Sequence, residues 1–157
     1  MTVQRRTATP SDLDAIRDVY RRSSLSNERD REVLLAHPDA LDFPGEGIDD
    51  GRTVVAVHDG RIVGFATLGP VVGGAVEVDD LFVDPEHQRH GIGRALVTEI
   101  AARAHASGGV HVDVTANPDA LAFYESVGFV AVGEAETRFG PAPRMRLEIR
   151  EAEPDRS

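Results

Sequence analysis

Two glycines and three basic side chains lie close together between Gln88 and Arg94, in the stretch Gln-Arg-His-Gly-Ile-Gly-Arg. A helical pattern of apolar residues follows, at Leu96, Val97, Ile100, Ala101 and Ala104. Glycines at the start of a helix let the backbone approach a bulky ligand. The first N–H groups of a helix have no intrahelical partner and lie at the positive end of its dipole. With Arg89, His90 and Arg94 beside them, these donors predict a phosphate-binding site in an otherwise acidic chain.

Other glycine-rich phosphate sites differ from this stretch. A dinucleotide-binding fold requires G-x-G-x-x-G directly after a strand, whereas Leu96 replaces the third glycine and about seven residues separate Val83 from Gly91. Asp113 lies roughly where the ribose-binding acid belongs, so this fold stays open as an alternative. A nucleotide-binding P-loop needs G-K followed by Ser or Thr, which is absent. A second alternative also remains, in which the glycines belong to a loop that begins a helix for packing reasons alone and binds no ligand.

The residues before this stretch predict a strand with an irregularity. Val76 and Val78 alternate with acidic residues, which is the period of a half-buried strand. The apolar positions then shift by one residue, to Leu81 and Val83, and this shift predicts a β-bulge near 79–81. A bulge leaves backbone N–H and C=O groups without partners in the sheet, and such groups can hold a ligand.

Two stretches of the chain resemble those of a known enzyme family. L-F-V-D-P at 81–85, followed by Q-x-x-G-x-G at 88–93, resembles the central motif of the GNAT family of N-acetyltransferases. N-P-D-A-L-A-F-Y-E-S-V-G-F at 117–129 is similar to the family's other recurring segment, N-x-x-A-x-x-F-Y-x-x-x-G-F. In the family the central motif holds the pyrophosphate of acetyl-CoA. The resemblance therefore implies that acetyl-CoA is bound by Gln88, Arg89, His90, Gly91, Ile92, Gly93 and Arg94.

The resemblance also implies roles on both sides of the central helix. In the family the two strands that flank this helix in sequence splay apart, and the pantetheine arm of CoA enters between them. By position, Asn117 is implied to lie near this arm and Tyr124 to act as the general acid at the CoA sulfur. The N–H groups of Leu81, Phe82 and Val83 are implied to bind the pantetheine and polarise the thioester carbonyl. Both residues also have a purely structural interpretation. Asn117 precedes a proline, as is common in turns, and Tyr124 could be an aromatic residue that only packs against its neighbours.

Transfer of an acyl group to an amine requires the amine to be neutral. A lysine-type amine has a pKa of about 10.4, so about one in 2,500 is neutral near pH 7, a deficit of about 4.6 kcal/mol. A base is therefore useful, directly or through water. Glu77, on the predicted central strand, is the first candidate, and His111 on the neighbouring strand is the second. A solvated strand face is the structural alternative for Glu77.

Length and composition limit the domain number, the compartment and the partners that we expect for this chain. A chain of 157 residues predicts one domain at 1–150, followed by a flexible polar tail at 151–157. The sequence has no apolar run of the ~20 residues that span a bilayer, no signal-peptide pattern and no cysteine, so the cytoplasm is the default compartment. A net charge of −10 argues against nucleic acid or an anionic membrane as the main partner.

The order of the predicted elements, β-α-α-β-β-β-α-β-α-β-β, also resembles the GNAT fold. The expected class is α/β (α+β), with a mixed, mostly antiparallel sheet of about six to seven strands, about four flanking helices and splayed central parallel strands. Asp59-Gly60 predicts the tight turn of a hairpin, and F-G-P-A-P at 139–143 predicts a turn before a last strand at 144–149. The segment 38–51 reads as a loop that either borders the substrate site or is idle surface.

The expected activity is direct transfer of an acetyl group from acetyl-CoA to a primary amine, without a metal. The alternative is a non-catalytic acyl-CoA-binding or sensing domain, which would keep residues 88–94 but would not need Glu77 or Tyr124. Protein N-termini, lysines, polyamines, antibiotics and amino acids all stay open as acceptors, and the family also allows a homodimer. A cationic amine is favoured by the acidic residues Glu46, Asp49, Asp50, Glu77, Asp79 and Asp80.

Overall fold

The computed structural model describes residues 2–149, apart from the side chains at positions 28 and 29. The predicted polar tail at 151–157 lies outside the described residues. Seven strands form one sheet in the order β1-β2-β3-β4-β5-β7-β6. The strands are β1 (Gln4–Thr7), β2 (Thr53–His58), β3 (Arg61–Val72), β4 (Ala75–Val83), β5 (His111–Thr115), β6 (Val130–Thr137) and β7 (Gly140–Glu148).

The sheet is mostly antiparallel, as predicted. β2 pairs antiparallel with both β1 and β3, and β7 pairs antiparallel with both β5 and β6, whereas β4 and β5 run parallel. This mixed sheet is not the parallel sheet of a dinucleotide-binding fold. The register of β4 with β5 runs from Ala75 opposite His111 to Val78 opposite Val114, and β4 itself continues to Val83. The bulge near 79–81 and the separation of the two strands lie beyond this register and stay predictions.

Five helices accompany the sheet: α1 (Leu13–Ser26), α2 (Glu28–Ala36), α3 (Glu46–Asp49), α4 (Ile92–Ala106) and α5 (Leu121–Ser126). Four of them are the predicted helices, and α3 is a short addition within the segment 38–51. Within residues 2–149, none of the helices has the length and apolar character needed to cross a membrane.

The chain divides into two compact units. Of the described residues, the first unit contains 2–67 together with Asp80–Glu99, and the second contains Leu68–Asp79 together with 100–149. β3, β4 and α4 each contribute residues to both units.

The first unit has an aromatic core. The ring of Phe65 on β3 lies 5.1 Å from that of Phe43 and 5.5 Å from that of Phe82, and Tyr20 on α1 makes an edge contact with Phe82 at 4.9 Å. Phe43 belongs to the segment predicted as a loop, and Leu41 from the same segment is also buried. Idle surface is therefore the wrong interpretation of this segment, because its apolar residues fill the core of the first unit.

The second unit buries one face of its strands. Val76 and Val78 on β4, Val112 and Val114 on β5, and Met145 on β7 are all buried. The approach of α4 to this face leaves no room for a side chain at Gly109, where a Cβ would lie 2.8 Å from Cγ2 of Val76 and 3.0 Å from the carbonyl oxygen of Ala104. The alternate residues of these strands, which are mostly charged, lie on the opposite face.

Of the two predicted turns, one is confirmed and one is wrong. In the β2–β3 hairpin, Asp59 and Gly60 both have positive φ values, 50° and 74°, as the predicted tight turn requires. The turn predicted at 139–143 is wrong, because β7 begins at Gly140 and includes Pro141 and Pro143. The pairing of β7 with β5 begins only at Arg144. The two prolines lie before this point, where the β5–β7 ladder requires no N–H donor from them.

Candidate functional site

In the first unit, β4 is joined to α4 by a tightly turned loop, residues 84–91, called the glycine loop here. Pro85–His87 forms a 3-10 helical turn, and Arg89 and Gly91 follow with φ values of 68° and 78°. The carbonyl oxygen of Gly91 accepts the first helical hydrogen bond, from the N–H of Ala95 at 3.0 Å. The next three residues, 92–94, form the first turn of α4, and their N–H groups lie at the positive end of the helix dipole.

The glycine loop presents its polar residues to solvent. Gln88, Arg89, His90 and Gly91 are exposed, as is Arg94 in the first turn of α4. Ile92 between them is buried and fixes the helix start to the core. Positive side chains and helix N–H groups thus occupy one exposed turn, which is the arrangement that binds a phosphate.

Close packing under α4 sets the position of this turn. A Cβ at Gly64 on β3 would lie 3.0 Å from the carbonyl oxygen of Phe82 and 3.1 Å from side-chain atoms of Ile92 and Leu96. Only a residue without a side chain lets α4 and the end of β4 approach β3 so closely. Phe82 is held by the aromatic core described above, and Leu81 and Val83 beside it are partly buried.

A buried carboxylate anchors the start of the glycine loop. Asp84 is 1% exposed, and Nη1 and Nη2 of Arg22 on α1 donate to its two oxygens at 2.7 and 2.8 Å. Burial by itself would raise the pKa of Asp84, but the hydrogen bonds from Arg22 and from the N–H of Glu86 outweigh it, so the pKa is lowered. Asp84 is therefore a carboxylate at neutral pH.

In the second unit, Tyr124 on α5 is buried between two aromatic rings. Phe123 and Phe129 both lie 5.2 Å from it, measured between ring centroids, in edge-to-face contacts. Burial raises the pKa of the Tyr124 hydroxyl, which stays protonated at neutral pH. A buried tyrosine with its proton retained can serve as a hydrogen-bond donor or acid.

Asn117 begins the turn that leads into α5. Its side-chain oxygen accepts a hydrogen bond from the N–H of Asp119 at 2.9 Å, so the residue caps the 3-10 turn Pro118–Ala120. This contact is the one expected if Asn117 serves as a turn residue. The role of Asn117 beside the pantetheine arm stays a prediction, which would use the amide nitrogen of its side chain.

Glu77 and Arg144 form a bidentate ion pair across the second unit's sheet. Nη1 of Arg144 donates to Oε1 of Glu77, and Nη2 donates to Oε2 at 3.0 Å. Nη1 also donates to the hydroxyl of Thr115 at 3.0 Å. The pKa of Arg144 is raised, chiefly by its hydrogen bond with Glu77. Glu77 remains 40% exposed, so this pair is open to solvent on one side.

A second polar cluster lies beside this pair on the same strands. Asp113, directly opposite Glu77 in the β4–β5 register, accepts hydrogen bonds from Nε of Arg146 at 2.9 Å and lies 3.0 Å from Nδ1 of His111. Burial alone would raise the pKa of Asp113, but Arg146 and His111 lower it. Arg144 and Arg146 thus neutralise two carboxylates that would repel each other across neighbouring strands.

The predicted site residues fall into two groups, one in each unit. The first unit brings together residues 81–83 and 88–94, and the second contains Glu77, His111, Asn117 and Tyr124. Sequence reasoning missed the partners Arg22, Thr115 and Arg144. The alternation of Arg144 and Arg146 was a usable signal, because it places both side chains on one strand face. Arg22 lies within α1, which continues to Ser26.

Comparisons with known proteins show the fold and the family of this chain. The family model described as the acetyltransferase (GNAT) family matches residues 13–129. The crystal structure of the PaiA N-acetyltransferase from Thermoplasma acidophilum in complex with coenzyme A superposes with a TM-score of 0.75. The match covers 94% of this chain and 99% of that chain at 19% identity, and it shows the fold.

Two curated relatives are similar in sequence. The N-alpha-acetyltransferase RimI of Mycobacterium tuberculosis is 44% identical over 84 residues, and the streptothricin acetyltransferase of Streptomyces lavendulae is 34% identical over 119 residues. These matches cover 51% and 66% of this chain, and they span only 52% and 63% of the length of the two relatives. The family model and the shared fold together show that the chain belongs to the GNAT family of acetyltransferases.

Proposed function

We propose that the protein transfers an acetyl group from acetyl-CoA to a primary amine by direct attack of the amine on the thioester. The observation that carries this proposal is the exposed start of α4, where Gly91 has a positive φ and three basic residues lie in the same exposed turn as the first helix N–H groups. Family membership supports it, as do the names of the similar proteins, which include N-acetyltransferases and a complex with coenzyme A.

The pyrophosphate of acetyl-CoA is the anion that this turn would hold. In the proposal the N–H groups of Ile92, Gly93 and Arg94 donate to its oxygens, and the side chains of Gln88, Arg89, His90 and Arg94 supply further donors and positive charge. The N–H groups of Leu81, Phe82 and Val83 bind the pantetheine and polarise the thioester carbonyl, and Asn117 contacts the same arm.

In the reaction the amine nitrogen forms a bond to the thioester carbon, and the carbon–sulfur bond then breaks. The departing thiolate has a pKa near 8.5, so it leaves without full protonation. Tyr124 donates a hydrogen bond or proton to this sulfur. Since burial raises the pKa of Tyr124 above the usual value of a tyrosine, full proton transfer to the thiolate is uphill. Tyr124 regains from solvent any proton that it gives up, and the amine's own proton passes to Glu77.

Glu77 is the proposed acceptor of the amine's proton, through a water molecule. Arg144 occupies one lone-pair position on each carboxylate oxygen. A carboxylate has about four such positions, so two remain for water. Arg144 in this role fixes the orientation of the Glu77 carboxylate before the amine arrives.

The acceptor is proposed to be a cationic amine. The chain carries a net charge of −10, and Asp80 and Asp42 lie close enough to Tyr20 in the first unit to help raise its pKa, after the larger effect of burial. A negative surface attracts cations over long distances. We place the reaction in the cytoplasm, and a homodimer remains part of the proposal.

The direct test is release of the CoA thiol from acetyl-CoA over a panel of amines, with CoA affinity measured by calorimetry on the same sample. The expected result is micromolar binding of CoA and thiol release that depends on one class of amine. Binding of CoA without thiol release for any amine would instead support the non-catalytic acyl-CoA-binding alternative. Absence of CoA binding would refute both.

A further inference from the structure

An ion pair links α1 to the glycine loop of the first unit. Arg22 and Asp84 are 62 residues apart in the chain, yet both guanidinium nitrogens reach the carboxylate at 2.7 and 2.8 Å. A buried carboxylate without a partner is costly, so this contact keeps Arg22 of α1 and the first residue of the loop together.

Asp84 also organises the backbone around it. Its N–H donates to the carbonyl oxygen of Val63 on β3 at 2.8 Å, and its carbonyl oxygen accepts from the N–H of His87 at 2.9 Å. Its side-chain oxygen Oδ1 accepts from the N–H of Glu86 at 3.0 Å. The bend by which β4 leads into the glycine loop is therefore set by this one residue, and Arg22 holds its side chain.

We propose that Arg22 is a positioning residue for the binding of acetyl-CoA, an inference that rests on the proposed function. By holding Asp84, Arg22 keeps the glycine loop in the conformation that presents the N–H groups of α4 before the ligand arrives. A site that is already ordered loses less conformational entropy on binding. Loss of the pair therefore weakens acetyl-CoA binding, although Arg22 lies on another helix.

The shape of the guanidinium matters as well as its charge. Arginine presents two parallel donors that match a carboxylate, whereas lysine is a compact point charge on a flexible stem. Arg22→Lys keeps the charge beside Asp84 and loses the two-point contact. It should raise the Kd for CoA and the KM for acetyl-CoA about tenfold, while kcat and the KM for the amine change by less than about twofold.

Asp18 provides a matched control. It is the other carboxylate that accepts a hydrogen bond from Arg22, at 2.9 Å from Nε, and it lies exposed on α1 one helical turn away. Asp18→Asn removes one ion pair of Arg22 and keeps the pair with Asp84. Its Kd for CoA should stay within about twofold of the wild-type value, because exposed pairs contribute little.

The experiment measures CoA binding and steady-state kinetics for the wild type, R22K and D18N, with a thermal melt of each. Failure of the wild type to bind CoA would refute the proposed function itself. Wild-type binding with an unchanged Kd in folded R22K would overturn this inference alone. A lowered melting temperature in R22K with unchanged KM values would also overturn it, since a purely structural role predicts that result.

If R22K does not fold, hydrogen exchange on the wild-type protein decides the question. The N–H of Glu86 reports on Asp84, to which it donates, and helical N–H groups at 23–26 report on the end of α1 that carries Arg22. CoA should slow exchange at both places, because loop and helix are held together. Slower exchange in the loop with no change in α1 would overturn the inference.

Discussion

Two arginine–carboxylate pairs, one in each compact unit, have the same bidentate geometry and very different surroundings. Arg22 holds Asp84, which is 1% exposed, and Arg144 holds Glu77, which is 40% exposed. The buried carboxylate cannot exchange its partner for water, so it serves as an anchor. The half-exposed carboxylate can exchange part of its contact with water or a substrate, so it is suited to proton transfer. Burial, and not the type of contact, separates the structural pair from the proposed reactive one.

The largest expected effect is on stability at the buried pair. Asp84→Asn removes a charge that Arg22 needs and should lower the free energy of unfolding by about 3 kcal/mol or more. Glu77→Gln, in the half-exposed pair, should lower it by less than about 1 kcal/mol. Urea unfolding of both variants measures the difference. Equal losses would show that exposure does not separate the two pairs.

At the glycine loop, Gly91→Val should weaken CoA binding at least 100-fold, about 2.7 kcal/mol. The φ of 78° disfavours any branched residue, and the side chain would project where the ligand is proposed to lie. Gly60→Val is the control for strain, because Gly60 has a φ of 74°, and as at Gly91 no atom lies within 4 Å of an added Cβ. Calorimetry should find normal CoA affinity in folded G60V. A similar loss in both variants would attribute the effect to strain and undo the phosphate assignment.

Substitution of Glu77 in the second unit should change the rate of the reaction and not the affinity for CoA. Glu77→Gln should lower kcat about 10- to 100-fold at neutral pH, because the amide cannot accept the amine's proton. Its Kd for CoA should not change. Steady-state kinetics with a saturating amine provide the measurement, and a kcat within about twofold of the wild type would remove Glu77 as the base.

Tyr124→Phe should lower kcat about tenfold and leave the affinity for acetyl-CoA nearly unchanged, because the thiolate leaves tolerably without an acid. Tyr20→Phe is the comparison in the first unit. Its hydroxyl donates to the carbonyl oxygen of Ala40 at 2.7 Å, so Y20F should cost about 1 kcal/mol of stability with little change in kcat. An unchanged kcat in Y124F would exclude Tyr124 from the mechanism.

A third pair, intermediate in burial, has an effect on stability that depends on pH. Asp12 is 11% exposed and accepts two hydrogen bonds from Arg6, which lower its pKa from 3.8 to about 2. A lowered pKa in the folded state stabilises the protein above pH 3.8, and this contribution is lost as the pH falls toward 2. Because Arg6 is half exposed, the loss should be about 1 kcal/mol. In unfolding measured from pH 5 to pH 2, the wild type should lose about 1 kcal/mol more of its unfolding free energy than D12N loses.

The element order and the proposed phosphate site were accessible from the sequence because they rest on local rules. The Asp59-Gly60 turn needs positive φ values at consecutive residues, and few residue types adopt them. The start of α4 was marked in the same way by Gly91 and the basic residues around it. The start of β7 was misplaced, since whether a proline or glycine lies in a strand depends on the neighbouring strand.

The sequence alone therefore indicated the family, the order of the strands and of every helix but α3, and the residues of the glycine loop. Only the tertiary structure decided which carboxylates are paired with an arginine and how deeply each pair is buried. Arg22 reaches Asp84 across 62 residues and Arg144 reaches Glu77 across 67. No local pattern encodes such partners, because the free energy of a charge pair depends on its burial, and burial exists only once distant segments have packed.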